Sequence, residues 1–294
     1  NNKYNLVKIN FFFLNILFLL KYFFNFNIDF LFKYMSLIKK EYEVYHFQFI
    51  TFKSLILINY LIYHKKKVII TPQGADIQIK KNINYGFRLN KKFNNYFLKT
   101  IIKVIYFQSI SKNIYKDLLK IIKKDSKIQI IPNSICLDKF KKKSGINKNK
   151  KVINILTVAR YAKLKKGFDL IPKIAKELIK RNIDFSWKII GENSNKIYDD
   201  EFIKKKSKII LAIPNIKNYK EYYHPSSNLI KFYKDSDVYL NLARIESFGI
   251  TFIESLAAKL PVLTFNNKGA NEIIINKYNG FVVKNRNVKK MANI

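Results

Sequence analysis

Glu246 and Glu254 stand with seven residues between them, and Gly249 lies inside that interval. A glycine there lets the backbone approach a bound group closely, and the N–H groups of Ile250 and Thr251, free at a helix start, favour an anion such as a phosphate. Glu254, one turn into that helix, can accept both hydroxyls of a ribose. Glu246 projects from the loop toward whatever lies beyond the phosphates. The shape suits a sugar nucleotide; for this spacing taken alone, two solvated glutamates beside a capping loop are the plain alternative.

A second set is cationic. ARYAKLKKGFDL places Arg160 and Lys166 in a basic loop with Gly167, after an apolar run at Val152–Val158 and before an amphipathic stretch, Phe168–Lys180. Strand, basic loop and helix form a phosphate-binding layout: Arg suits bidentate phosphate contact and Lys adds a compact point charge. Among 56 basic residues it is the position after a strand that singles out this pair.

The elements that must hold these groups can be read from periodicity. Val238–Leu242 is an apolar run of strand length, Ala243–Gly249 a loop, Ile250–Lys259 a stretch with apolar residues at helical spacing, and Pro261–Phe265 another strand-like run. Strand, loop, helix and strand make a crossover unit in a parallel sheet, with the loop at the strands' carboxyl ends, where open α/β sheets bind ligands.

The stretch DVYLNLARIESFGITFIESLAAKLPVL, with GANEIIINKYNGFVV behind it, resembles the donor-site signature of the retaining glycosyltransferases of family 4: Glu, seven residues, Glu, a small-residue helix, a Gly-Pro-Val-type strand and a Gly-Gly/Glu loop. Here Lys259-Leu260-Pro261-Val262 lacks the Gly before Pro, and Ala270 replaces the second Gly. The resemblance implies the GT-B fold, an α/β architecture of two Rossmann-like doubly wound parallel-sheet domains facing a cleft, with the N-terminal domain truncated. It implies residues 1–145 as an incomplete acceptor-side domain and 146–294 as the donor domain, lacking its C-terminal helix.

The same resemblance assigns roles. Arg160 and Lys166 grip the diphosphate of a nucleoside diphosphate sugar, the base lies near Gly191, and Glu254 holds the ribose. Glu246 holds the transferred sugar within a donor-binding stretch that includes Phe248, Gly249, Ile250 and Thr251. Catalysis falls to Glu246, Arg160 and Lys166, with Arg160, Lys166 and the N–H groups after Gly249 stabilising the departing diphosphate. In a retaining front-face route the leaving phosphate takes the acceptor's proton. The implied enzyme is a metal-independent hexosyltransferase without a cofactor, using a glycan or lipid-linked acceptor in cell-surface polysaccharide synthesis. A sugar-nucleotide epimerase of the same fold would need a carboxylate and histidine set that is not found.

In the first half, YHFQFIT reads as a strand, FKSLILINYLIYH as a helix, and KKKVIITPQGADIQI as a strand running into a loop. Thr71–Asp76 resembles the family's H-G-x-D loop on the acceptor side, which nominates Gln73, Gly74 and Asp76. Gln73 stands where the family has His; it can donate a hydrogen bond but cannot shuttle a proton. Asp76 reads equally as an acceptor-side partner and as a turn cap. INYGFRLN, a further segment associated with the family, leads into a helix at Lys91–Val104, and Ser111 reads as a helix cap. IQIIPNSICLDKF resembles the family's interdomain segment, and Lys141–Lys151 reads as a hinge. Asp235-Ser236-Asp237 matches a metal-binding D-x-D pattern, yet it precedes the signature strand at the end opposite the ligand, so it reads as a capping turn. Seven of the eight glycines fall at turns in these segments; Gly145 does not.

The formal charge is +36, and five Arg leave 51 of the 56 basic residues as Lys. With the excess of Ile, Asn, Tyr and Phe, this reads as an AT-rich coding bias. A solvated lysine surface and attraction to an anionic membrane face, where lipid-linked acceptors reside, both stay open. Nucleic acid is not an expected partner: the lysines are scattered, base readout leans on Arg, and no RNA-module signature appears. A single Cys136 fits a reducing cytoplasm, so the expected location is cytoplasmic and peripheral to the membrane's inner face. Residues 9–32 are strongly apolar, but Lys21 and Asp29 interrupt the run and its uncharged core is too short to span a bilayer. No glycine precedes Gly74, so the family's N-terminal glycine loop is missing or lies upstream, and the chain reads as a fragment. Loss of that loop together with Gln73 keeps an inactive homologue, or a basic surface-binding protein, as the alternative.

Overall fold

A computed structural model describes residues 42–140, 151–214 and 225–294. The apolar run at 9–32 and all but the last residue of the Lys141–Lys151 segment lie outside the described residues. The chain forms two compact units, Asn1–Ile131 and Pro132–Ile294. The second unit begins before the expected boundary at 145, and Phe140, 5% exposed, lies in that unit's core.

In the first unit β1 (Val44–Phe47), β2 (Lys67–Ile70), β3 (Tyr106–Ser109) and β4 (Lys127–Ile130) form a parallel sheet in the order β1-β2-β3-β4. Helices α1 (Phe52–Tyr63), α2 (Lys91–Ile101) and α3 (Lys112–Leu118) make the crossovers. Each starts at a side-chain cap: Thr51 in a capping box with Ser54, Asn90 accepting from the Phe93 N–H, and Ser111 from the Ile114 N–H. Such caps satisfy backbone donors that a helix start leaves open. Leu55, Ile58, Phe97, Ile101, Ile114 and Leu118 are fully buried.

The second unit has six parallel strands: β5 (Ile153–Val158), β6 (Phe185–Ile190), β7 (Ile210–Ile213), β8 (Val238–Asn241), β9 (Val262–Phe265) and β10 (Gly280–Val283). Their order is β10-β9-β8-β5-β6-β7. Both faces are covered, as the apolar strands require. On one face Ile155, Trp187, Ile189 and Leu240 pack with α4 (Ile171–Lys180) and with Met291 and Ala292 of α9 (Val288–Ala292). Leu156, Ile190, Tyr239 and Val262 form the opposite core with α6 (Ser227–Lys234), α7 (Ile250–Ala257) and α8 (Ala270–Ile273). A short α5 (Glu201–Lys205) precedes β7. Trp187 satisfies its buried indole N–H on Thr157 Oγ1 at 3.0 Å, and that hydroxyl donates to the Leu240 carbonyl at 2.7 Å.

Helix α4 begins three residues later than its apolar spacing suggests. Gly167 turns left-handed (φ 75) and a 3₁₀ turn, Phe168–Leu170, leads into it. Helix α7 ends at Ala257, and Lys259 just beyond it takes φ 59, a left-handed conformation that commonly terminates a helix. The Leu260 N–H then reaches back to the Ser255 carbonyl at 2.9 Å.

Candidate functional site

Strand β5 pairs with β6 on one side and β8 on the other. The chain runs outward through β6 and β7, then returns across β5 to build β8, β9 and β10. This reversal parts the loops beyond the carboxyl ends of β5 and β8 and leaves a crevice, the usual ligand position in an open parallel sheet. The β5 loop carries Arg160, Lys165, Lys166 and Gly167; the β8 loop carries Arg244, Glu246, Phe248 and Gly249.

Across that crevice the Lys166 ammonium forms an ion pair with Glu246 Oε1, the two side chains being 19% and 12% exposed. Arg244 ties the same loops together. Its guanidinium donates to both oxygens of Asp169 at 2.6 Å and to the Leu164 carbonyl at 2.7 Å, while its backbone N–H bonds the Lys165 carbonyl at 2.9 Å. From the β9 side the Gly269 N–H donates to the Glu246 carbonyl at 2.9 Å. A Cβ on Gly269 would lie 2.7 Å from the Phe248 carbonyl oxygen and 2.8 Å from Glu246 Cβ. Buried Asn267 completes this support: its amide donates to the Ala243 and Phe265 carbonyls and accepts from the Ala270 N–H at 2.8 Å.

Three of the cations in the β5 loop, Arg160, Lys165 and Lys166, are electrostatically coupled. Burial first, then Lys166 and Arg160, lowers the Lys165 ammonium from 10.5 to about 8, with Glu246 opposing. A loop that weakens its own cation by crowding in two more gains from an anion. Arg160 itself is exposed. Gly191 packs against it from β6: its φ is 146, and a Cβ there would come within 2.2 Å of the Ala159 carbonyl oxygen and 2.9 Å of the Arg160 nitrogen.

Glu254 is buried one turn into α7. It is 5% exposed and its Oε2 accepts from the Tyr233 hydroxyl at 2.6 Å. Burial raises its carboxyl from 4.5 to about 6, with the Tyr233 hydrogen bond opposing. Gly249 is left-handed (φ 97), and a Cβ on it would meet the Phe252 ring at 2.4 Å, so the helix start itself demands glycine there. The Phe252 N–H returns to the Gly249 carbonyl at 2.9 Å; Ile250 at the helix start is exposed and Thr251 half-buried.

The first unit's nominated loop is built differently. Asp76 is wholly buried, and its carboxylate accepts from the N–H groups of Ile50 at 3.1 Å, Gln73 at 3.1 Å and Gly74 at 2.8 Å. Of its two readings, the geometry matches the turn cap. Gln73 is half-buried beside Thr71, whose hydroxyl lies 2.7 Å from His46 Nε2. A cavity of about 490 Å³ opens nearby against Phe52, Phe87 and Phe93, but its lining holds no ionisable side chain. Asp235 and Asp237 close the amino end of the second sheet. Asp237 Oδ2 accepts from the Asn154 N–H at 2.8 Å, and the Asp235 carbonyl from the Asn154 amide at 3.3 Å.

Of the residues nominated from spacing, the structure brings Lys166 and Glu246 together, and Arg244, Asp169, Asn267 and Tyr233 join them through contacts that residue spacing does not show. Arg244 and Asp169 were legible only as two charges among many, since 75 residues separate them along the chain.

A sequence model described as glycosyl transferases group 1 matches residues 138–294, more than half of the chain. The alpha-monoglucosyldiacylglycerol synthase of Acholeplasma laidlawii is 31% identical over 217 residues, 66% of this chain and 51% of that protein. The capsular polysaccharide biosynthesis glycosyltransferase CapM of Staphylococcus aureus is 26% identical over 82% of this chain and 69% of its own length. The chain thus spans about half the length of the first relative. Among solved structures, Anabaena HepE with UDP-glucose superposes with a TM-score of 0.62 at 14% identity, over 86% of this chain and 67% of that one. That likeness concerns the fold, two Rossmann-like parallel-sheet domains of the GT-B class. On its matching sequence and its fold, the chain is a member of the group 1 glycosyl transferases.

Proposed function

We propose that the second unit binds a nucleoside diphosphate sugar across the β5–β8 crevice and that the protein transfers the sugar, with retention, to a glycan or lipid-linked acceptor. The observation that carries this reading is the Lys166–Glu246 ion pair, which sets a cation for the diphosphate beside a carboxylate for the sugar. On donor binding Lys166 turns to the phosphates with Lys165 and Arg160, and Glu246 is released to accept from sugar hydroxyls. Glu254 offers its carboxylate to the ribose while Tyr233 holds it in place. The bond between the anomeric carbon and the phosphate oxygen breaks as the diphosphate gathers charge against these cations and the α7 N–H groups, an electrostatic contribution made without reorganisation. The acceptor oxygen bonds the same face of that carbon, and its proton passes to the departing phosphate oxygen. No metal or cofactor takes part in this scheme.

Support for a lipid-linked or polysaccharide acceptor comes from two relatives, one named for a glucosyl-diacylglycerol product and one for capsular polysaccharide synthesis. A UDP donor is favoured by the UDP-glucose complex of the similarly folded HepE. The lysine-rich composition suits a peripheral position on an anionic membrane face; no helix among the described residues is long and apolar enough to cross a membrane. The test is a panel of UDP-, GDP- and ADP-sugars scored by thermal stabilisation, since a ligand selective for the folded state raises the midpoint. One nucleotide series should stabilise the wild type and stabilise Lys166→Ala markedly less. Equal response of wild type and variant to every ligand would refute the assignment.

A further inference from the structure

We infer that Asp169 and Arg244 are positioning residues, a clamp that fixes Lys166 against Glu246 before a donor arrives; this rests on the donor-binding reading above. Arg244 directs four hydrogen bonds at one short segment: two to Asp169, one to the Leu164 carbonyl and one from its own backbone to the Lys165 carbonyl. Both charged side chains are largely covered, at 17% and 19% exposure, so the bidentate pair is little screened by salt.

What the clamp holds is not core. Lys163 and Leu164 are exposed, and Lys163–Gly167 closes as a π-helical turn, a rare geometry that has to be imposed from outside and that recurs at functional sites. Gly167 presses so close to the β8 loop that a Cβ would lie 2.1 Å from the Leu242 carbonyl oxygen. The segment so constrained bears Lys165 and Lys166, and the strand end it is tied to leads directly to Glu246. With both loops fixed as one body, the diphosphate grip and the sugar grip keep a set separation, and the donor does not have to order them.

A double-mutant cycle tests this, with donor affinity measured by titration calorimetry against UDP-glucose, GDP-mannose and ADP-glucose. Arg244→Lys keeps the charge and loses the fork. In the otherwise native chain it should weaken the preferred donor by about 10-fold or more, with Asp169→Asn similar and Asp169→Glu partly restored. In a Lys166→Ala background, Arg244→Lys should cost several-fold less than in the native chain, because the main group it positions is gone. Equal losses in both backgrounds, as general destabilisation would give, or no loss in the first, would overturn the clamp. If Lys166→Ala binds every donor as the native chain does, or no donor binds the native chain, the donor reading itself fails. A damaging Lys166→Ala with a silent Arg244→Lys sinks the clamp alone.

Discussion

The two units place a carboxylate-bearing loop at the carboxyl end of a parallel sheet, and they use it in opposite ways. In the first, Asp76 turns inward and serves three backbone N–H groups, so its charge maintains the loop. In the second, the backbone around Glu246 is held by others, through the Gly269 N–H and the Arg244 fork, and the carboxylate is left to face Lys166. A carboxylate is available for chemistry when the surrounding loop does not need it. Sheet order adds to the contrast: the described strands β1 to β4 follow one another without reversal, whereas the second sheet reverses at β5.

The largest expected effect tests that division of labour. Lys166→Ala and Glu246→Ala should each lower sugar transfer by about 100-fold or more, measured as kcat/KM once the donor is known, with the unfolding midpoint little changed. Asp76→Ala should do the reverse. Three backbone N–H groups, two of them buried, lose their acceptor, and chemical denaturation should report a loss of about 3 kcal/mol for the first unit, with nucleotide affinity of the second intact. A large loss of nucleotide affinity in Asp76→Ala would break the comparison.

The pH dependence sharpens it. Asp76 and Glu254 are both raised to about 6, chiefly by burial. A carboxyl whose folded value lies above its unfolded one favours the protonated fold, so each contributes stability that is lost as pH rises from about 4 through 6. Nucleotide binding that uses the Glu254 anion runs the other way and should strengthen over that range, then weaken above about 8 as Lys165 loses its proton. Calorimetric titration across pH should show both limbs, and Glu254→Gln should remove the acid limb while leaving the Asp76 contribution to stability in place.

The smallest effect concerns backbone. Lys259 holds a left-handed conformation that costs a non-glycine residue about 1 kcal/mol. Lys259→Gly should raise the second unit's stability by roughly that amount in thermal unfolding, with donor binding unaltered. Gly269→Ala makes the instructive contrast: its φ is an ordinary −67, so any loss of donor affinity there reports displacement of the Glu246 loop.

Periodicity and punctuation in the sequence determined which segments became strands and helices, because burial of alternating or helically spaced apolar residues is a local property of the chain. β5, β8, β9 and α7 all fall within a residue or two of their apolar runs. The glycine positions were likewise legible: five take positive φ, and Gly269 and Gly280 are pressed against backbone or side-chain atoms. Lys166 and Glu246 could be named because a strand places its following loop at one end of a sheet. Only the tertiary structure decided which charges are free and which are spent. Asp76 is consumed by its own loop, Glu254 is sunk against Tyr233, and Arg244 finds Asp169 across the reversal of strand order. A hydrogen bond depends on distance and desolvation between segments far apart along the chain, and neither quantity is written in residue spacing.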